Sequence, residues 1–501
     1  MSKPESIKLA NTLSREVEEI TPEEEGTVKI YSCGPTVYDY PHIGNIRYFV
    51  FVDVLRRTLK LLGYKVIQAT NLTDVDDKTI RGSQREGVSL AKFTEKYIKI
   101  FFDDLETLNI DRCEFYPRAT ENIKEIIQMI AKLEENGYTY EKDGNVYFRI
   151  SSFKDYGKLS GMNLEDLKKN AQGRLEDEYE KDDARDFALW KARVPEDGKN
   201  YWESPWGQGR PGWHIECSVM SAKYLTDAYK GGKLNPDGFK TIDIHTGGVD
   251  LVFPHHTNEI AQSEGTFGKQ FIKYWVHCEH LLADGKKMSK SLGNYYTLKD
   301  LLDKGFSPRA IRHVFLAPHY KQQLNFSIKA LESAENVIAK LDNFVFFINR
   351  IINNPKENLL PGKETAKKDI IDACENAVFD FKNALSKDLD MPKALAVVFE
   401  FINKIHKERK KILVPEARRV LDAIKQMDKV LGLFDFEQDL GNVPEEITEL
   451  IEERNKARQS KEWEKADKIR NGLKVKGIEL IDTKEGTYWR KLKKGKKEEK
   501  A

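Results

Sequence analysis

No stretch of the chain approaches the ~18 consecutive apolar residues of a membrane-spanning helix. The first twenty residues, MSKPESIKLANTLSREVEEI, are polar and mixed in charge. They have neither the apolar core of a secretory signal nor the acid-free character of a transit peptide, so a cytoplasmic protein without a membrane partner is expected. Cysteine is scarce. Five in 501 residues exclude a disulfide framework and fit a reducing cytosol, where each is a core residue, a nucleophile or a metal ligand. Charge of one sign is missing too, with a net of only +1. The composition, 40% apolar and 33% charged, excludes a mainly disordered or collagen-like chain.

What is there begins with length. Dividing 501 residues by ~150 per domain suggests roughly three domains. The near-neutral total hides an asymmetry. Residues 451–501 hold 17 Lys+Arg against 10 Asp+Glu, and the other 450 hold 65 against 71. A basic end on an acidic body suits a polyanion partner, although a solvated Lys-rich tail would look the same.

Residues 28–33 (VKIYSC) predict a buried strand, 46–63 a helix with Val52, Leu55, Leu59 and Leu62 at helical spacing, and 65–70 (KVIQAT) a second strand. This is one βαβ unit of a parallel sheet. Between 118 and 204 the pattern changes to a helix carrying Ile123, Ile126, Ile127 and Ile130, short strands around NVYFRI, and the charged run GRLEDEYEKDDARD. This reads as an insertion, after which the sheet resumes at TIDIH near 241. Beyond 326, Ile328, Leu331, Ile338, Leu341, Val345 and Ile348 keep bundle-helix spacing. The polar loop NNPKENLLPGKE and the linker GNVPEE (441–446) come next.

Four features carry chemistry. CGPTVYDYPHIGNIR (33–47) puts His42-Ile43-Gly44-Asn45 where a helix begins after the first strand. Amides at such a start attract phosphate, glycine permits close approach, and His42 and Asn45 can donate hydrogen bonds. A simple turn is the alternative. KKMSKSLGN (286–294) offers Lys287 and Lys290 on a glycine-flanked loop. Two ammonium groups there can neutralise charge developing on a triphosphate, although a charged surface loop is equally compatible with the sequence. Cys33, Cys217, His255 and Glu259 form a Cys₂-His-carboxylate set suited to tetrahedral zinc, with His255 and Glu259 one helical turn apart, although a core cysteine and a helical surface pair are the alternatives for each alone. His256 and His214 compete as ligands. In the basic C-terminus, Arg458, Trp463 and Asp467 recur at helical spacing and Asp482 ends a strand. Aromatics and polar groups so arranged suit single-stranded RNA. A salt-bridged helix with Trp463 in its core is the alternative, and the terminal KLKKGKKEEKA either binds phosphate or only solubilises.

HIGN followed by KMSKS resembles the paired signatures of class I aminoacyl-tRNA synthetases, with Asn45 where the generic signature has His. CGPTVYDYPHIGN, TDVDDK (73–78), GRPGWHIECS (209–218), DIHTGGVDLVFPHHTNEIAQSE (243–264) and KMSKSLGN resemble the cysteinyl-tRNA synthetase family in particular, from about 25 to 490. The resemblance implies a Rossmann-type α/β catalytic domain in two halves (22–117 and 205–275), a connective insertion (118–204), a KMSKS-bearing stem-contact region (276–326), a helical bundle (327–440) and a small mixed α/β anticodon-binding domain with a basic tail (441–501). It implies activation of cysteine by ATP with Mg²⁺ and transfer to tRNA(Cys). One zinc ion, held by Cys33, Cys217, His255 and Glu259, would select the amino acid.

By the same resemblance His42, Asn45, Lys287 and Lys290 would be catalytic. Gly44, Gly248, Asp250 and Lys290 would bind ATP, with Gly248 and Asp250 at the ribose. Gly34, Thr73, Trp213 and His214 would line the cysteine pocket. Arg458, Trp463, Asp467 and Asp482 would meet the anticodon. Cys113, Cys278 and Cys374 would be structural, and the chain would act as a monomer. The sequence leaves two rivals open: a ligase joining cysteine to an amino sugar, and an inactive synthetase-like RNA binder.

Overall fold

The structure is a computed structural model that describes residues 4–162, 186–289, 293–353, 368–409, 412–437, 445–483 and 486–491. Lys290 and most of the charged run at 173–186 lie outside the described residues. So do most of the loop at 353–364, the linker residues 441–444 and nearly all of the terminal tail. Two compact units are present. One comprises Met1–Ala334, Phe379–Val397 and Lys429–Gly432, and the other Glu335–Val378, Val398–Asp428 and Leu433–Ala501.

The first unit is centred on four parallel strands, β1 (Thr27–Ser32), β2 (Lys65–Thr70), β3 (Ile242–Gly248) and β4 (Ile272–Cys278), in the order β4-β3-β1-β2. This is the Rossmann-like core of a mixed α/β fold. Three helices pack on the sheet and deliver the candidate site residues: α1 (Ile43–Leu61), α2 (Trp213–Leu225) and α3 (Thr257–Phe267). A parallel sheet is buried on both faces, and β1 shows why its sequence reads as a near-continuous apolar run. Val28 and Ile30 enter one core with Val52, Leu55 and Leu59 of α1. Tyr31 and then Cys33 enter the opposite core with Ile215 and Val219 of α2 and Ile260 and Ala261 of α3. Each such fully buried branched side chain contributes ~1.5–3 kcal/mol. Connections leave the adjacent strands β1 and β3 in opposite directions along the sheet. Their carboxyl ends therefore flank a crevice at the topological switch point.

Helix α1 starts earlier than its apolar spacing implies, at Ile43 rather than after Asn45. The reason is a reciprocal cap. The Asn45 N–H donates to His42 Nδ1 (3.2 Å), and the His42 N–H donates to Asn45 Oδ1 (3.3 Å). The cap satisfies the His42 N–H and adds a second acceptor for the Asn45 N–H, which also reaches the His42 carbonyl (2.9 Å).

Between β2 and β3 lie the helices Asp77–Glu86, Leu90–Thr107 and Ile123–Glu135. A four-stranded antiparallel sheet comes after them, built from Thr139–Lys142, Asn145–Phe148, Phe187–Ala192 and Gly209–Pro211. After β4, Leu281–Ala283 pairs with Lys286–Lys287 and with Leu324–Phe326 in a small three-stranded sheet. The later chain is helical: Ile328–Asn353, Lys368–Leu385, Met391–Glu408 and Val414–Leu431. Leu331, Ile338, Leu341, Val345 and Ile348 are buried, as their spacing predicts, and Ile328 is half-buried. Helices Glu445–Gln459 and Trp463–Val475 then precede the antiparallel pair Ile478–Thr483 and Gly486–Lys491, around a small core of Leu473, Ile478 and Leu480. Among the described residues no helix is long and apolar enough to cross a membrane.

Candidate active site and metal centre

Cys33 directly follows β1, Cys217 lies one turn into α2, and Glu259 lies in the first turn of α3. His255 belongs to the irregular turn Val252–His256 that leads into α3, not to the regular helix. The i,i+4 pair still converges, with His255 Nε2 3.2 Å from Glu259 Oε1. The ligand atoms of Cys33, Cys217, His255 and Glu259 all lie within 4.8 Å of one another. The same holds for a second set, Cys33, His245, His256 and Glu259. All six side chains are buried. His245 Nε2 lies 3.0 Å from Glu259 Oε2, and Cys33 Sγ lies 3.3 Å from His256 Nε2. His256 Nδ1 is in turn 2.8 Å from His277 Nε2.

The two sets differ in what engages their imidazoles. Both ring nitrogens of His245 meet carboxylate or carbonyl oxygen, and those of His256 meet Cys33 and His277. These rings are placed to orient Glu259 and Cys33, as outer partners of metal ligands do. The set with two thiols is also the softer one. Burial pushes the Cys33 thiol well above its usual range and the Glu259 carboxyl up to about 8, and it pulls His255 down to about 3. Such a cluster holds charge in its dry site only with a cation, which would keep thiolates and carboxylate ionised and take the already neutral imidazole. Two thiols, an imidazole and a carboxylate in one buried group fit zinc.

Trp213 borders this cluster on its solvent side. It is 41% exposed, yet its ring centroid lies 4.3 Å from that of His255. His214 Nδ1 is 2.7 Å from His255 Nδ1, and the His214 ring meets Phe187 edge-on. His214 is in neither ligand set. Thr73 is buried, and its hydroxyl donates to Glu216 Oε2 (3.1 Å) and accepts from Asn71 Nδ2 (3.1 Å). The Gly34 N–H donates to Asn71 Oδ1 (2.7 Å). A Cβ on Gly34 would lie 1.6 Å from the Asn71 carbonyl oxygen, so the turn that delivers Cys33 closes only on glycine.

The HIGN and KMSKS segments meet at the start of α1. Because His42 Nδ1 accepts from the Asn45 N–H, the neutral ring carries its proton on Nε2. Burial lowers the His42 pKa, opposed by the nearby Asp250 charge. The His42 ring packs edge-on against Tyr295 (5.6 Å), the Ile43 N–H donates to the Tyr296 carbonyl (2.9 Å), and a Cβ on Gly44 would lie 3.1 Å from Met288 Cε. The KMSKS segment therefore touches HIGN directly. Asn294 holds it there: its Oδ1 accepts from the Ser289 N–H, and its Nδ2 donates to the carbonyls of Ala283 and Lys287. Lys287 and Asp250 are exposed, and Lys287 has no carboxylate partner among the described residues. The Asp250 carboxylate folds over Gly248, where a Cβ would meet Oδ1 at 2.4 Å. No periodic pattern in the sequence points to Tyr295 or His277, whose partners His42 and Thr12 lie more than 250 residues away.

In the second unit Trp463, the first residue of its helix, is 58% exposed. This removes the alternative of a core tryptophan. Asp467 lies one turn later and is exposed, as is Arg458 in the last turn of the preceding helix. Asp482 lies on the strand Ile478–Thr483, and its side chain is outside the described set.

Comparison with known proteins matches this layout. Residues 19–336 match the family described as tRNA synthetases class I (C) catalytic domain, 380–435 the DALR domain, and 440–490 the cysteinyl-tRNA ligase anticodon binding domain. The cysteine–tRNA ligase of Brachyspira hyodysenteriae is 44% identical over 490 residues, covering 97% of this chain and 99% of the relative. That of Leptospira interrogans (serovar copenhageni) is 44% identical over 493 residues with the same coverage. Among solved structures, Mycobacterium tuberculosis methionyl-tRNA synthetase bound by methionyl-adenylate superposes with a TM-score of 0.60 at 14% identity, covering 81% of this chain and 92% of that one. A putative arginyl-tRNA synthetase from Campylobacter jejuni gives 0.54 at 16%, covering 83% and 94%. At those identities the likeness is one of fold.

Proposed function

This chain belongs to the cysteine–tRNA ligase family, and from that premise we propose how its residues divide the work of activating cysteine and charging tRNA(Cys). It is an aminoacyl-tRNA ligase with a class I catalytic domain. One observation carries the reading of its specificity: the buried Cys33, Cys217, His255 and Glu259 group reaches the exposed ring of Trp213 through His255.

Those four residues would hold one zinc ion, with His245 and His256 orienting Glu259 and Cys33. When bound, zinc supplies a soft acceptor for the substrate thiolate, which serine's hydroxyl matches poorly. Packing alone separates two side chains of such similar shape by only ~1–3 kcal/mol. Trp213, His214, Gly34 and Thr73 shape the space around the substrate.

ATP, accompanied by Mg²⁺, lies along the start of α1. Its ribose hydroxyls meet Asp250 beside Gly248, and its phosphates pass Gly44. The substrate carboxylate attacks the α-phosphate, giving cysteinyl-adenylate and pyrophosphate. His42 Nε2–H and the Asn45 amide donate to phosphate oxygens, while Lys287 and Lys290 neutralise the negative charge that moves onto pyrophosphate. The terminal ribose hydroxyl of tRNA then attacks the adenylate carbonyl and releases AMP. No protein nucleophile is needed. Arg458, Trp463, Asp467 and Asp482 contact the anticodon.

Cysteine-dependent ATP–pyrophosphate exchange, followed by charging of tRNA(Cys), tests this. Exchange with cysteine and not serine, together with charging, is expected. Exchange without charging would indicate another acceptor such as an amino sugar, and no exchange would leave an RNA-binding protein.

A further inference from the structure

Arg47 lies in α1 two residues beyond Asn45 and is only 2% exposed. A buried guanidinium is normally paired with a carboxylate, and the chain obeys that rule elsewhere: Arg57 and Arg312 both meet Asp53, and Arg56 meets Glu114. Arg47 has no carboxylate within ion-pair distance among the described residues. Its donors go instead to three backbone carbonyls. Nη1 donates to Glu279 O (2.7 Å) and His280 O (2.7 Å), and Nη2 donates to Gln322 O (2.6 Å).

Those carbonyls are not scattered. Glu279 and His280 immediately precede the strand Leu281–Ala283, and Gln322 lies just before its parallel partner Leu324–Phe326. Lys286–Lys287 pairs with the same central strand. One planar fork therefore grips both chain entries into the small sheet that carries Lys287, from the helix that His42 caps and whose first turn carries Asn45. The contacts on the other side, Met288 over Gly44 and Tyr295 against His42, involve the loop itself. Arg47 holds the base from which that loop extends.

We propose that Arg47 is a positioning residue for adenylate formation, fixing the KMSKS-bearing sheet in register with the HIGN helix. The proposal deepens the reading above and rests on the assignment of Lys287 to phosphate charge. Only arginine suits the task. Its donors lie in one rigid plane, whereas lysine offers a single ammonium that cannot reach three carbonyls on two segments. A misplacement of the order of 1 Å costs about a hundredfold in rate.

The test compares Arg47→Lys, Lys287→Ala and the double variant in the full-length chain by pyrophosphate exchange. Arg47→Lys should lower kcat ten- to hundredfold (~10–100) and raise KM for ATP, while KM for cysteine and metal content stay within about twofold. In the Lys287→Ala background the same change should cost less than about threefold, because its effect passes through Lys287. Equal losses in both backgrounds, parallel changes in both KM values, an unchanged rate, or failure of both Arg47→Lys and Arg47→Gln to fold would overturn the proposal. An inert Lys287→Ala would instead remove the reading it rests on.

Discussion

The buried thiol–imidazole–carboxylate cluster and the C-terminal end are built on opposite physical terms. Cys33, Cys217, His255 and Glu259 are 6% exposed or less, enclosed by a parallel sheet and two helices with further histidines bonded behind them. At the C-terminal end, Trp463, Arg458 and Asp467 are exposed, above a core of three fully buried apolar side chains. A group that must hold thiolates and a carboxylate away from water needs a large fold around it, because uncompensated burial is costly. A surface that reads single-stranded RNA by stacking needs only a small platform that holds an aromatic in water. The first should be sensitive to single atoms, and the second should lose function in proportion to area removed.

The largest expected effect is therefore at Cys217. Cys217→Ser replaces one soft ligand and should lower kcat/KM for cysteine about a thousandfold, with KM for ATP within about threefold. Metal content, measured on the same preparation, should fall with it. Equal changes in both KM values would detach the cluster from amino-acid recognition. Gly34→Ala sharpens the point without touching a ligand. Its methyl would sit 1.6 Å from a backbone oxygen, so the turn must shift and Cys33 with it. A loss of about a hundredfold in exchange is expected. An unperturbed Gly34→Ala enzyme would mean that the turn yields freely.

Parts of this contrast are legible in the residues alone. The strand at Lys65–Thr70 and the bundle spacing follow from apolar periodicity. The four residues proposed to hold the metal do not come from spacing, since they span 227 positions from Cys33 to Glu259. Their grouping comes from resemblance, and the sequence leaves His256 open as a rival. What separates His255 from His256 is which atoms engage each ring, and such contacts leave no periodic trace. Arg47 illustrates the same limit. Its partners are backbone carbonyls more than 200 residues away, and no residue type signals a carbonyl. The early start of α1 escapes the apolar pattern because the His42–Asn45 cap uses a ring nitrogen where Ser, Thr or Asp is the usual acceptor.

Removal of the whole C-terminal module is the coarse test of the other side. Deleting residues 441–501 should leave pyrophosphate exchange within about twofold and lower charging about thirtyfold, since stacking and several phosphate contacts go together. The dependence of the remaining charging on salt should weaken, because fewer phosphates are neutralised. Charging that survives intact would make the module dispensable, and a lost exchange activity would end the separation of the two regions.

The smallest effect, and the cleanest, is expected at Trp463. With 58% of its surface exposed, truncation to alanine removes little packing, and melting should move by no more than an exposed substitution does, within ~0.5 kcal/mol. If the indole stacks on an unpaired base, Trp463→Ala removes ~1–3 kcal/mol of binding, or about tenfold in kcat/KM for tRNA, and leaves exchange untouched. Trp463→Phe keeps an aromatic face and should recover part of that loss. Asp467 shares the same face one turn on, so its removal should add little once the ring is gone. A drop in melting temperature with charging unchanged would reverse the assignment. The tryptophan would then serve the small core, and the C-terminal end would be built like the interior it is contrasted with.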